Sequence, residues 1–172
     1  MNMNNKEKNN FVRTQILKTL LEMMKEVPFD SIVISELVSR AEVGRASFYR
    51  NYTDKTDVLR QESVRLMKEW GGEFEVEATG NNSIVLIGLL DFLKAHGEFH
   101  TLLYRAGQYS IVQNAILALF PIHEELPNIV AYLYSSLGYT VYGWVHEWIK
   151  RGMQESGTEL AHMIEEAQKK EK

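Results

Sequence analysis

The sequence predicts an all-α protein, because apolar residues recur at helical spacing along nearly all of its 172 residues. No segment shows the strict alternation of apolar and polar residues that marks a half-buried strand, and no internal repeat is visible. Glycine and proline interrupt the apolar pattern at intervals that suit helix ends. With 45% hydrophobic residues, a chain of this length can bury a core as one domain or as two small ones.

Four helices are expected in the first half of the chain. Pro28 ends the first of them, because proline disfavours a helical conformation in the residue before it. Glu42 to Gly44 form a tight turn between two short helices, and Thr53 and Asp54 have the side chains of helix caps. The predicted helices cover residues 11–27, 35–41, 45–52 and 55–71.

A linker and four or five further helices are expected in the second half. Residues 71–82 are acidic and lack an apolar pattern, which predicts the linker. No Asp, Glu, Lys or Arg occurs between Glu125 and Glu147, a stretch long enough to cross a membrane, but Pro127 and several polar residues favour a buried helix instead. The predicted helices cover residues 83–96, 98–105, 110–120, 128–151 and 158–170.

The composition narrows the classes of function. The chain has no cysteine, which excludes disulfide scaffolds, thiolate nucleophiles and Cys-ligated metal sites. His96 and His100 have the i, i+4 spacing of metal ligands on a helix, but no third ligand accompanies them, so no metal site is predicted. No catalytic residues and no cofactor are expected, because no Ser–His–carboxylate order, phosphate-binding loop or carboxylate pair occurs at usable spacing. The polar N-terminus lacks an apolar targeting segment, which predicts a cytoplasmic protein without membrane association.

The net charge of −4 is unevenly distributed along the chain. Residues 1–60 contain ten Lys and Arg against eight Asp and Glu, whereas residues 61–172 contain nine against fifteen. A slightly cationic first half and an acidic second half leave nucleic-acid binding open despite the negative total.

Two short helices joined by a tight turn predict a helix-turn-helix motif at about residues 33–52. In this motif the second helix enters the DNA major groove and its first residues meet the base edges, while other polar side chains bind phosphates. Phe48 is expected to face the core and hold this helix in place. A helical hairpin with a solvated polar face remains the alternative. The residues predicted to contact DNA are Ser35, Arg45, Ala46, Ser47, Tyr49, Arg50, Tyr52 and Lys55.

The run from Ile34 to Leu59 resembles the DNA-binding domain of the tetracycline-repressor (TetR) family. The resemblance depends on Phe48 and Tyr49, followed at the family's spacing by Tyr52, Lys55 and the pair Val58-Leu59, and it covers about residues 10–60. It implies that Tyr49 and Lys55 bind phosphates. It also implies which residues face the groove, namely Arg45, Ala46, Ser47 and Arg50.

Three positions depart from the family pattern. Glu42 stands where the family usually has glycine, and a non-glycine residue in a left-handed turn costs about 1–2 kcal/mol. Gly44 replaces a polar helix cap, and Val33 replaces a threonine before the first motif helix. The motif is therefore expected to be intact, with a moderate operator affinity because Glu42 also repels phosphate.

The segment from Tyr139 to Ser156 resembles regulators of dihydroxyacetone kinase, the DhaS-like subgroup of the same family. This resemblance implies that the last two helices pair with those of a second subunit in a four-helix bundle. Small residues that allow close helix approach agree with this role, and a twofold dimer predicts a palindromic operator. The small residues are Ser135, Ser136, Gly138 and Gly143.

Aromatic residues in the second half fit either an apolar cavity for a small-molecule effector or a packed core. Their hydroxyl groups suit a ligand that forms hydrogen bonds, whereas core packing explains each residue singly. The residues proposed for a pocket are Phe92, His96, Phe99, Tyr104, Tyr109, Tyr132, Tyr139 and Trp144.

These features predict a homodimeric transcriptional repressor that binds double-stranded DNA and is released by a small molecule. Residues 1–60 are the expected DNA-binding domain, and residues 61–172 are the expected regulatory and dimerisation domain. The near-neutral first half and Glu42 leave one alternative open, a family member that acts as a protein-binding coactivator with weak DNA affinity.

Overall fold

A computed structural model describes residues 4–73 and 82–170, and within these ranges the chain contains helices and no strand. The predicted all-α fold is confirmed. A short 3₁₀ helix, Phe29–Ser31, follows the first α-helix. The α-helices are α1 (Asn5–Glu26), α2 (Ile34–Arg40), α3 (Arg45–Asn51), α4 (Lys55–Glu73), α5 (Asn82–Ala95), α6 (Gly97–Arg105), α7 (Ser110–Leu117), α8 (Asn128–Lys150) and α9 (Gly157–Lys170).

Helix α1 begins six residues before its predicted start at Phe11. A capping box explains the early start, because the Asn4 side chain accepts a hydrogen bond from the Glu7 backbone amide at 2.9 Å while Glu7 accepts from the Asn4 amide at 2.8 Å. The polar sequence of this first turn carries no apolar periodicity, so the pattern alone placed the helix start too late. The predicted linker at residues 71–82 is also shortened: α4 continues to Glu73, α5 begins at Asn82, and the rest lies outside the described residues.

The N-terminal helices share a core in which α1 packs against α2, α3 and α4. Ile16 and Leu20 from α1 belong to one buried cluster with a fully buried side chain from each of the other helices, Leu37, Phe48 and Leu59. Burial of side chains of this size contributes about 1.5–3 kcal/mol each, which fixes the arrangement of these short helices.

Helix α4 connects the two predicted domains without a break. The predicted boundary at residue 60 lies inside this helix, whose later residues Leu66 and Trp70 are buried. Helix α4 packs on α7, and α1 packs on α6, where Lys25 and Glu98 form an ion pair at 2.5 Å. The buried residues form one cluster that runs from α1 to the end of α8. Helices α6 and α7 therefore pack on the two helices that flank the helix-turn-helix motif.

Hydrogen bonds connect the start of α9 to α5. Asp91 accepts a hydrogen bond from the Gly157 amide at 3.0 Å, and Lys94 donates to the carbonyl of Glu155 at 2.9 Å. A Cβ atom on Gly157 would lie 2.5 Å from the Asp91 carboxylate and 2.9 Å from the Ile87 carbonyl, so this close approach requires glycine. No helix in the described ranges is long and apolar enough to cross a membrane.

His100 is buried in α6, with 1% of its surface exposed, and neither ring nitrogen has a hydrogen-bond partner among the described residues. Burial, together with a smaller contribution from the neighbouring His96, lowers the pKa of His100 to about 4. The folded state therefore holds the imidazole neutral under conditions in which the unfolded chain binds a proton.

We predict that the free energy of unfolding decreases as the pH is lowered from neutral, because His100 is buried in its neutral form. Its pKa in the folded state lies below the ordinary value of 6.5, so its contribution is complete above pH 6.5 and is lost as the pH falls towards 4. Between pH 7.5 and pH 5 the wild type should lose about 2 kcal/mol more than a His100→Leu variant in denaturant titrations. The exposed His162 provides the control, since His162→Gln should follow the wild type. Equal pH dependence in the wild type and His100→Leu would contradict this assignment.

Candidate DNA-binding surface

The turn between α2 and α3 holds a strained residue, as the sequence predicted. Glu42 has a φ of 54°, in the left-handed region. The turn is closed by hydrogen bonds from Val43 N to Val38 O at 3.0 Å and from Glu42 N to Ser39 O at 3.2 Å. Gly44, with φ −71° and ψ 141°, is the N-cap of α3 and has no side chain to satisfy the first amides. The turn therefore places an exposed carboxylate directly before the second motif helix.

Phe48 determines the orientation of α3. It is fully buried, and its ring contacts those of Tyr49 and Tyr52 at centroid distances of 5.3 and 5.7 Å. The other side of the helix is solvent-accessible: Arg45, Ala46, Tyr49 and Arg50 are exposed and Ser47 is half-buried. Five of the eight predicted DNA contacts therefore lie together on this helix.

Tyr49 and Arg45 form a small unit on the exposed side of α3. The Arg45 guanidinium lies 5.7 Å from the centre of the Tyr49 ring, and 48% of Tyr49 is exposed. A cation–π contact at this distance restricts the arginine without covering its hydrogen-bond donors. Ser35, a sixth predicted contact, is exposed in the first turn of α2, whose N-cap Val33 offers no side-chain hydrogen bond.

Tyr52 lies in the interior of the domain and not on the predicted DNA surface. Only 4% of Tyr52 is exposed, and the guanidinium of Arg13 lies 5.6 Å from the centre of its ring. Burial raises the pKa of its hydroxyl. The expected phosphate contact of Tyr52 is thus corrected: the residue joins α1 to the end of α3, because an aromatic at this position is covered by the helix it packs on.

The Lys55 ammonium group is engaged inside the domain. Its Nζ donates to the carbonyl oxygens of Phe29, Asp30 and Ile32 at 2.6, 3.1 and 2.8 Å, and it lies 4.6 Å from the centre of the Phe29 ring. Three donors on three acceptors use the full capacity of an ammonium group. The phosphate contact predicted for Lys55 would require some of these bonds to break, so in this arrangement the residue anchors α4 to the 3₁₀ helix.

A cleft of about 740 Å³ lies between the first turns of α1 and the outer side of α3. The sequence pattern does not predict its α1 side, because Lys6 and Lys8 precede the predicted start of the first helix at residue 11. The signal that could have found them is the Asn4–Glu7 capping box, which extends the helix to these lysines. The cleft is lined by Asn5, Lys6, Lys8, Asn9, Val12, Ser47, Arg50 and Asn51.

Most other cations of the first half are held by carboxylates. Lys18 pairs with Glu22, Lys25 with Glu98, and Arg60 with Asp57. Arg40 contacts two carboxylates, at 2.6 and 2.8 Å, and these contacts raise its pKa. Among residues 4–60, the described part of the first half, four exposed cations have no carboxylate partner, namely Lys6, Lys8, Arg45 and Arg50. The uncompensated charge is thus concentrated beside the cleft and on α3.

The residues proposed for a ligand pocket are separated by the fold. Phe99 and Tyr109 are buried, and Phe92, His96, Tyr104 and Trp144 are half-buried. Tyr132 and Tyr139 are 68% and 55% exposed on the outside of α8, so they line no interior pocket, and their inclusion is corrected. Tyr104 and Tyr109 instead form an aromatic cluster with Tyr142 and His146, with centroid distances of 5.1–5.9 Å. The His96–His100 pair gains no third ligand, since no group of three metal-binding side chains occurs in the described ranges.

An exposed apolar face extends along α8. Small polar residues and Gly143 accompany it, and a Cβ on Gly143 would have no neighbour within 4 Å. Gly138, predicted to allow close approach of a partner helix, instead faces its own chain, because a Cβ there would lie 2.8 Å from Leu117. The exposed apolar residues of α8 are Ile129, Tyr132, Leu133, Tyr134, Leu137 and Tyr139.

Residues 16–61 match the family model of bacterial regulatory proteins of the tetR family. No curated protein matches the chain. Among solved structures, Lin0861 from Listeria innocua is similar with a TM-score of 0.79 at 15% identity, over 100% of this chain and 97% of that one. A candidate TetR-family transcriptional regulator from Syntrophomonas wolfei gives a TM-score of 0.67 at 15% identity, over 91% of this chain and 92% of that one. These likenesses show a common fold, with an N-terminal helix-turn-helix domain and a following helical domain.

Proposed function

We propose that this protein is a DNA-binding regulator of the TetR family that acts as a homodimeric repressor, binds a palindromic operator and is released by a small molecule. The observation that carries the proposal is the division of α3 into two sides. Phe48 is fully buried on one side, whereas the exposed side carries two cations without carboxylate partners, Arg45 and Arg50. Arginine pairs with guanine in the major groove and also binds phosphates. An enzyme is not indicated, and the family match does not favour the alternative, a protein-binding coactivator with weak DNA affinity.

We predict that selection from a random duplex pool returns palindromic sites whose half-sites lie about 34–36 Å apart, one DNA turn. Arg45→Ala should cost about 1–3 kcal/mol of binding and relax the preference at one base pair per half-site. Glu42→Gln is the opposite control, since it removes a negative charge before α3 and should raise the affinity for every duplex. The proposal fails if the wild type binds no DNA at low salt, or if Arg45→Ala binds with unchanged affinity and preference.

Dimerisation through α8 and α9 is supported by the exposed apolar face of α8. Ile129, Leu133 and Leu137 are 65%, 56% and 48% exposed and follow one another at helical spacing. Met163 adds an apolar side chain on α9, with 54% exposed. An apolar patch of this kind on a protein surface marks an interaction site. Helical packing against the same face of a second copy would cover it and fix the spacing of the two α3 helices.

We predict that Leu133→Glu produces a monomer in analytical ultracentrifugation, because it places a charge in the proposed interface. The side chain is exposed in the single chain, so far-UV circular dichroism should stay helical. Val64→Glu is the matched control, since Val64 is 43% exposed on α4, and this variant should remain dimeric. A Leu133→Glu protein that sediments as a dimer would exclude this face as the interface.

The effector site is supported by buried polar groups that lack partners. His100 on α6, Tyr109 before α7 and Trp148 on α8 are each more than nine-tenths buried, and their ring nitrogens or hydroxyl make no hydrogen bond among the described residues. Each such group costs about 1–3 kcal/mol. A small molecule with an apolar body and hydrogen-bonding groups would satisfy them on entering between α6, α7 and α8. Because α7 packs on α4 and α6 packs on α1, a ligand that prefers one arrangement would change the affinity for DNA.

We predict that Tyr109→Phe raises the free energy of unfolding by about 1–3 kcal/mol, since it removes a buried hydroxyl without a partner. Tyr104→Phe provides the control, because Tyr104 is only half-buried in the same aromatic cluster and should change little. Thermal and denaturant unfolding measure both variants. A destabilised Tyr109→Phe protein would mean that the hydroxyl is already satisfied, which removes this support for an effector site.

The finer kinship with regulators of dihydroxyacetone kinase stays a proposal. Its support is the Gly152-Met153 turn between α8 and α9, where both residues have positive φ angles of 87° and 50°. Met153 is buried there against Gly97, at the start of α6. The turn therefore joins the proposed dimer helices to the effector region.

A further inference from the structure

The cleft between α1 and α3 is continuous with the proposed base-reading surface. Ser47 and Arg50, both on α3, form one wall, while Asn5, Lys6 and Asn9 from α1 form part of the other. The amide and hydroxyl groups in this lining are hydrogen-bond donors that suit anionic oxygens. A ligand that contacts the exposed side of α3 therefore also meets the first two turns of α1.

The charge of the cleft is uncompensated. Lys6, Lys8 and Arg50 have no carboxylate partner among the described residues, and no acidic residue lines the cleft. The lysines farther along α1 do have carboxylate partners: Lys18 pairs with Glu22, and Lys25 pairs with Glu98. The two lysines at the start of α1 thus keep their charge available, whereas those in its later turns do not.

Glu7, the acidic residue between the two lysines, is turned towards the helix start. Its carboxylate accepts the hydrogen bond from the Asn4 amide at 2.8 Å and is absent from the lining of the cleft. The capping box thus has two effects. It extends α1 far enough to bring Lys6 and Lys8 beside α3, and it directs the Glu7 carboxylate to the helix N-terminus, outside the lining of the cleft.

We propose that this cleft is a second DNA-backbone site, in which Lys6 and Lys8 join Arg50 in binding phosphodiester groups beside the base pairs read by α3. This inference rests on the proposed function, since the ligand is the duplex that α3 reads. The site supplies affinity without sequence preference, because phosphate contacts position a protein and carry no base information. It compensates for the small number of free cations on α3.

The test compares two double variants of the full-length protein, Lys6→Gln/Lys8→Gln and the matched Lys18→Gln/Lys25→Gln. Both remove two charges from α1, but the second pair is engaged by carboxylates. Binding to the selected operator and to a scrambled duplex is measured by fluorescence anisotropy at several salt concentrations. Each phosphate contact contributes about 0.9 to the slope of log K against log salt. If the Lys6→Gln/Lys8→Gln dimer loses four contacts, the ratio of the wild-type binding constant to that of the variant should fall on the order of 100-fold between 50 and 200 mM salt.

The expected result is a weaker, less salt-dependent Lys6→Gln/Lys8→Gln protein that loses the same factor on both duplexes, with the control variant close to wild type. Lys6→Arg/Lys8→Arg should restore affinity and slope, which separates charge from folding. Unchanged binding and slope in the glutamine variant would overturn the cleft site while leaving the Arg45 result, and thus the proposed function, intact. If the wild type binds no duplex, both proposals fail. If inorganic phosphate binds to the wild type and not to the glutamine variant, while the two bind DNA equally, the cleft is a site for free anions and the backbone assignment is wrong.

Discussion

The burial of Phe48 is the constraint on which the functional surface depends. A seven-residue helix such as α3 has little stability of its own, so tertiary packing determines both its existence and its orientation. With the Phe48 ring in the core formed by α1, α2 and α4, the opposite side of α3 must face solvent. Arg45, Ala46 and Arg50 are exposed for this reason, and any loss at Phe48 would disturb folding and DNA recognition together.

Charge pairing explains how a chain with a net charge of −4 suits DNA. Most cations of residues 1–60 lie against carboxylates, carbonyls or an aromatic ring, so their charged groups are already engaged within the domain. The unpaired ones lie on the outer side of α3 and at the start of α1. The field that a duplex meets is therefore set by which cations remain unpaired, a property that a sum over the sequence cannot contain.

The sequence was sufficient to predict the helices and the outward side of α3, because helical periodicity and the position of Phe48 reflect burial directly. The sequence was insufficient wherever a side chain could either contact a partner or pack inside its own domain. Tyr52 and Lys55 have the chemistry of phosphate ligands, yet one is buried and the other donates to three carbonyls of the 3₁₀ region. Gly138 has the size for a dimer contact but packs on Leu117. Such choices depend on long-range neighbours that the local sequence does not encode.

Helices α1 and α4 have to serve both halves of the molecule, and this limits how the two halves can move. Helix α1 packs on α2 and α3 in the first half and on α6 in the second, while α4 packs on α1 and on α7, all within one continuous buried cluster. A packed core does not deform smoothly, so a ligand bound around Tyr109 in the proposed effector site would shift whole helices. The polar groups left without partners in that region are compatible with such a shift, since an arrangement that satisfied them would compete with the one described here.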